Sequence, residues 1–127
     1  MSNDIAKLLL RLSIGIMMLF HGLDKIINGI SGIKHLVVSA GLPEFLAYGV
    51  YVGEIVVPIF IILGAYVRVA SSMLALNMVA AIFLAYGGAI FSLGKHGAPV
   101  FELPFLYLIV SIIIYAIGSG KYALNAK

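Results

Sequence analysis

Six residues of this chain could do chemistry in places where ordinary packing does not call for them. His21, Asp24 and Lys25 lie near the end of one long apolar run, Glu54 lies within a second with Tyr51 one turn before it, and Glu102 opens a third. An ionisable group at the centre of a membrane helix costs roughly 2.5–3.5 kcal/mol on insertion scales. A histidine and a carboxylate in a medium of low dielectric suit proton exchange. They equally suit hydrogen bonding to the carbonyl or hydroxyl of a quinone. The competing role is a hydrogen-bonded pair that only fixes helix packing. Spacing leaves both roles open.

These residues must be held by helices in lipid. Of 127 residues, 63% are hydrophobic and 10% charged, where a soluble domain carries about a quarter charged. The expected architecture is all-α: one domain over residues 1–127, a bundle of four transmembrane helices. A bilayer core of roughly 30 Å needs about 20 helical residues. The apolar segments fall at residues 5–27, 45–66, 69–91 and 103–117, the last being the shortest. Gly41, Leu42 and Pro43 mark a turn before the second span, and Gly94, Gly97 and Pro99 a loop before the fourth. Pro58 is expected to kink the second span by removing a backbone hydrogen bond. Asp4 and Arg11 interrupt any signal-peptide pattern, so the first span is expected to be retained.

Helical spacing then sorts the polar residues. Arg11, Gly15, Met18, Gly22 and Lys25 share one stripe of the first span, with His21 and Asp24 beside it. At about 1.5 Å per residue, His21 lies roughly 9 Å and Glu54 roughly 12 Å below the same membrane surface. Lys25, Asp24 and Glu102 lie nearer the rim. The expected site is a polar pocket of His21, Glu54, Lys25, Asp24, Glu102 and Tyr51. Arg11 and Arg68, towards the other surface, are expected to snorkel to headgroups. Asn77 reads as interhelical glue. Ala81, Ala85 and Ala89 repeat every four residues and would permit close helix approach.

Several chemistries find no support. The chain has no cysteine, which removes disulfides and thiolate chemistry of its own. His21, His35 and His96 have no metal-binding spacing, so no metal site is expected. One histidine within a span does not supply an axial pair for a haem. No intrinsic cofactor is expected, a quinone being the exception as a bound ligand. A net charge of +3, scattered over the chain, indicates headgroup contact rather than nucleic acid. One end of the bundle holds Lys7, Arg11, Arg68, Lys121 and Lys127, the other Lys25, Lys34 and Lys95. That bias places both termini in the cytoplasm.

Leu9-Leu10-Arg11-Leu12-Ser13-Ile14-Gly15, Phe20-His21-Gly22-Leu23-Asp24-Lys25, Gly41-Leu42-Pro43, Gly53-Glu54, Leu63-Gly64 and Arg68 follow one another in an order that resembles the DoxX family. Glu102 and the ending Gly118-Ser119-Gly120-Lys121-Tyr122-Ala123-Leu124 are similar too, so the resemblance covers nearly the whole chain. It implies a four-helix protein of the bacterial inner membrane. The family includes the small subunit of a thiosulfate:quinone oxidoreductase. Its motif residues here are Arg11, His21, Lys25, Glu54, Arg68 and Glu102. The expected role is a membrane subunit of a quinone-linked redox system, with a protein partner or further copies of itself. The alternatives are a non-catalytic anchor for a partner protein and a small transporter.

Overall fold

The structure, a computed structural model, describes residues 2–87, 92–95 and 97–125. Ala89, Phe91, His96 and Lys127, which figure in the expectations above, lie outside the described residues. The helices are α1 (Asn3–Asn28), α2 (Ser31–Ser39), α3 (Glu44–Leu63), α4 (Val67–Tyr86) and α5 (Glu102–Ile117). Among the described residues the only strand-like pairing is an isolated bridge between Leu93 and Pro99.

The protein is a helical membrane bundle. α1, α3 and α4 are each long and apolar enough to cross a bilayer, and α5 is a shorter apolar helix of 16 residues. At 1.5 Å per residue α5 is about 24 Å long. Large apolar side chains cover the outside, with Ile27 78%, Leu76 69% and Phe83 68% exposed. In water such a surface would drive association, whereas in lipid it carries no penalty.

α1 begins at Ser2, whose hydroxyl accepts the Ile5 N–H at 3.2 Å, with Asp4 in the first turn. Its buried residues are Arg11, Ile14, Gly15, Met18 and Gly22. Four of these belong to the predicted stripe, whose fifth member, Lys25, is half-buried, and the glycines explain it. A Cβ on Gly15 would lie 2.5 Å from Ile62 Cγ1, and one on Gly22 would lie 2.6 Å from Ile55 Cγ1 and against the Glu54 carbonyl. α1 and α3 therefore meet backbone to backbone.

α3 is not one regular helix. It opens with a 3₁₀ turn at Glu44–Tyr48 and contains a π-turn at Val52–Val56. The Val57 N–H bonds to the Val52 carbonyl, five residues back. Pro58 follows directly and supplies no N–H, so the carbonyl one turn earlier loses its α-helical partner. The expected disturbance at Pro58 thus takes the form of a widened turn carrying Gly53 and Glu54 inward, both buried.

Residues 28–44, expected as a loop, contain α2. Its Val37 packs with Ile30 and Ala47 in a small second core. Lys34 ties α2 to the 3₁₀ turn, 4.8 Å from the Tyr48 ring centroid and 3.9 Å from Glu44. Its pKa is raised, chiefly by a hydrogen bond with Tyr48. The main core joins Ile14 and Met18 of α1, Val57 and Ile61 of α3, Leu74 of α4 and Ile114 of α5.

Both ends of the chain meet at one end of the bundle, where the Lys121 N–H donates to Asp4 Oδ1 at 3.0 Å. There the structure corrects the expectation for Arg11. The side chain does not snorkel; it is wholly buried. It donates to the Ile61 carbonyl at 3.4 Å and, through Nη2, to the Tyr122 carbonyl. The segment after α5 returns across it, with the Leu124 and Asn125 N–H groups donating to the carbonyls of Leu63 and Gly64. Gly64 has φ 74° and presses on both Arg11 and Ala123, leaving no room for a side chain. Arg68 is exposed, and its Nε–H donates to the Tyr115 carbonyl at 3.2 Å, linking α4 to α5.

A buried guanidinium stripped of an acceptor costs about 1–3 kcal/mol or more. Truncation after Ile117 removes the Tyr122 carbonyl from Arg11. Thermal melts in nanodiscs should show the truncated protein clearly destabilised, and Arg11→Met should recover most of that loss. Equal melts for full-length and truncated chains would refute the role given to this return segment.

Candidate functional site

α1 runs away from the termini, so His21, 17 residues beyond Asp4, lies about 26 Å further along the axis. Side chains on a helix lean towards its N-terminus. Lys25 therefore reaches back into the bundle, past the level of its own backbone. Its Nζ meets Glu54 Oε1 at 2.7 Å. The side chains are 20% and 8% exposed, so the pair is largely withdrawn from solvent. Glu54 is presented by the π-turn, and Gly22 allows α3 to approach closely enough for the pair to close.

His21 does not take Glu54 as its hydrogen-bonding partner; Lys25 does. His21 instead meets Tyr107 of α5 edge to face, with centroids 5.8 Å apart. The two arrangements share a cavity of about 270 Å³, lined by His21, Lys25, Glu54 and Tyr107 with Met18 and Met78 on its apolar side. Pro104 and Tyr86 also reach it. A second cavity of about 490 Å³ lies between α2, α3 and α4. Lys25, Glu54, Ala81 and Ala85 line both. Ligand sites are commonly cavities of this kind, mostly apolar with a few convergent polar groups.

The other predicted residues are placed differently. The Tyr51 hydroxyl donates to the Lys25 carbonyl at 3.4 Å, steadying the last turn of α1. Asp24 is exposed and accepts from Asn28 at 2.6 Å. Glu102 is exposed in the first turn of α5. Neither acid lines either cavity. Asn77 packs its carboxamide against Gly53, where a Cβ would lie 2.7 Å from Asn77 Cγ. Its buried Nδ2 has no hydrogen-bond partner among the described residues. His35 is exposed on α2. No group of three or more metal-binding side chains occurs among the described residues.

Tyr107 is the residue that sequence reasoning missed. A signal was present: five residues beyond Glu102 at the rim, it lies about 7.5 Å deeper, close to the depth of His21.

As arranged, the cavity offers a cation, a carboxylate, an imidazole and a phenol around one apolar space. Together they can donate and accept hydrogen bonds and exchange protons with a bound polar group. The ion pair also holds α1 to α3, so two of the residues that line the cavity also serve packing.

Comparison with known proteins locates the chain. The family model described as DoxX matches residues 6–87, from α1 through α4. A curated relative from Bacillus subtilis (strain 168), named "Putative oxidoreductase CatD", is 32% identical over 127 residues. The match covers 98% of this chain and 87% of the relative. No solved structure matches.

Proposed function

Because the chain belongs to the DoxX family, we propose that it is a membrane subunit of a redox system that offers a quinone site. The carrying observation is the convergence of His21, Lys25, Glu54 and Tyr107 on one cavity. A quinone carbonyl needs hydrogen-bond donors, and its reduction needs two protons along with two electrons. Lys25 and Tyr107 are donors, and His21 can relay protons. The name of the curated relative supports an oxidoreductase setting. With no cysteine in the chain, thiol or sulfur electrons must come through a partner protein. Residues 1–127 would act as one domain. Family membership supports the bacterial inner membrane, and the lysine and arginine bias supports both termini being cytoplasmic, which puts the cavity in the outer half.

The test is titration of the purified protein with a soluble benzoquinone. Wild type should bind saturably. Loss of a hydrogen bond to the ligand, or of the carboxylate that holds Lys25 in place, costs about 1–3 kcal/mol, so His21→Ala and Glu54→Gln should each weaken binding about fivefold or more. Thermal melts on the same samples identify any variant that has merely unfolded. An absence of saturable binding, or binding indifferent to both variants, would end this reading.

A further inference from the structure

We infer that the quinone bound here carries a long aliphatic tail, and that the tail lies in the larger cavity between α2, α3 and α4. This rests on the quinone reading above and extends it to the rest of the molecule. The two cavities meet at Lys25, Glu54, Ala81 and Ala85. They differ in character. The smaller has His21 and Tyr107 in its wall; the larger is walled chiefly by Leu36, Val50, Leu76 and Leu84. Polar groups enter the larger one at Lys25, Glu54 and Asn77, towards the shared wall or the α3 face. A ligand matching both must be polar at one end and apolar along the rest.

The dimensions agree. The larger cavity follows α4 from Met73 to Ala85. Twelve residue steps at 1.5 Å make that about 18 Å. Alanines at positions 80, 81 and 85 keep this side of α4 low, so the space is a groove running along the helix, open on its outer side, rather than a dimple. Its walls lack partner atoms across the gap and lose dispersion contacts until something fills it. Lipid tails can fill it too, and transfer from lipid brings no hydrophobic gain. The quinone tail has a different advantage. Once the ring is held beside His21, its tail is tethered at the mouth of the groove at high effective concentration. The ion pair then forms the sill over which the molecule passes.

A benzoquinone with a long alkyl tail ending in a diazirine tests this in nanodiscs of phosphatidylcholine. Label that is lost when excess tailed quinone without the diazirine is added marks the specific tail position. That label is expected on Leu36, Leu76 and Leu84, and mass spectrometry locates it. Ala80→Phe, at a residue that lines the larger cavity and not the smaller, is expected to remove it while leaving His21-dependent binding of a tailless benzoquinone unchanged. Competed label on the outward side of α5, at Ile109 or Ile112, would overturn the tail position and leave the ring site standing. So would competed label that persists in Ala80→Phe. No competed label anywhere, with no binding of the tailless quinone, would overturn the ring site and the tail position together.

Discussion

Lys25→Met should lower the melting temperature of the reconstituted protein more than loss of any exposed charge, and adding Glu54→Leu should restore much of it. The asymmetry follows from burial. Removing one member of a buried ion pair leaves the other unpaired, at about 3–5 kcal/mol, whereas replacing both with apolar groups of similar volume is often neutral. The cost here should lie towards or below the lower end, because the Lys25 side chain keeps 20% of its exposure. The double variant also separates structure from chemistry. It should remain folded while losing quinone binding. A double variant as unstable as Lys25→Met alone would show that the pair does not act as a unit. Charge can also be varied without much change of shape. Glu54→Gln should be destabilised at neutral pH through the orphaned lysine, and Lys25→Met should relieve it.

Gly22→Ala should be the most damaging methyl that can be added to α1. The new Cβ would meet the backbone carbonyl of Glu54 and lie 2.9 Å from its carbon. Backbone cannot swing aside as a side-chain tip can, so α1 and α3 must part. Overpacking of this kind costs about 1–3 kcal/mol and sometimes more, outweighing the helix-propensity gain of about 1 kcal/mol. Gly32→Ala provides the contrast. A Cβ there meets nothing within 4 Å, so only the propensity gain remains and α2 should be stabilised. Parallel thermal melts should therefore move in opposite directions. If both variants move together, the close approach at Gly22 is not what sets the separation of the helices. Gly22→Ala should also weaken quinone binding, because parting the helices pulls Lys25 from Glu54.

The four apolar helices are legible from composition and run length, and the buried face of α1 from the spacing of Arg11, Gly15, Met18 and Gly22. The level of Glu54 along the bundle, beside Gly22 of α1, is legible from a residue count. Its partner is not, because counting places backbones while the pair is closed by the long lysine stem. Arg11 is misread for a related reason. Snorkelling is a local rule, and the two carbonyls that Arg11 uses belong to Ile61 and Tyr122, 50 and 111 residues away. α2 escapes notice because nine residues between two turns carry little periodic signal and its N-cap, Ile30, supplies no side-chain hydrogen bond. Tyr107 is hidden by its ordinary place in an apolar helix; only its depth distinguishes it.

The π-turn of α3 can be regarded as a register device. A turn that spans five residues instead of four accommodates one more residue than an α-helix allows. Each α-helical residue advances the azimuth by about 100°. Removing a single residue within Val52–Val56 would let the ladder close as an ordinary helix. The π-turn thus absorbs the extra residue locally; held in α geometry, that residue would rotate everything on the Tyr51 side by about that angle relative to the Pro58 side. The Tyr51 hydroxyl, the 3₁₀ turn and the contact with α2 would then face a different direction. In this protein the alignment of the two halves of a membrane helix depends on how one turn closes, as well as on side-chain chemistry.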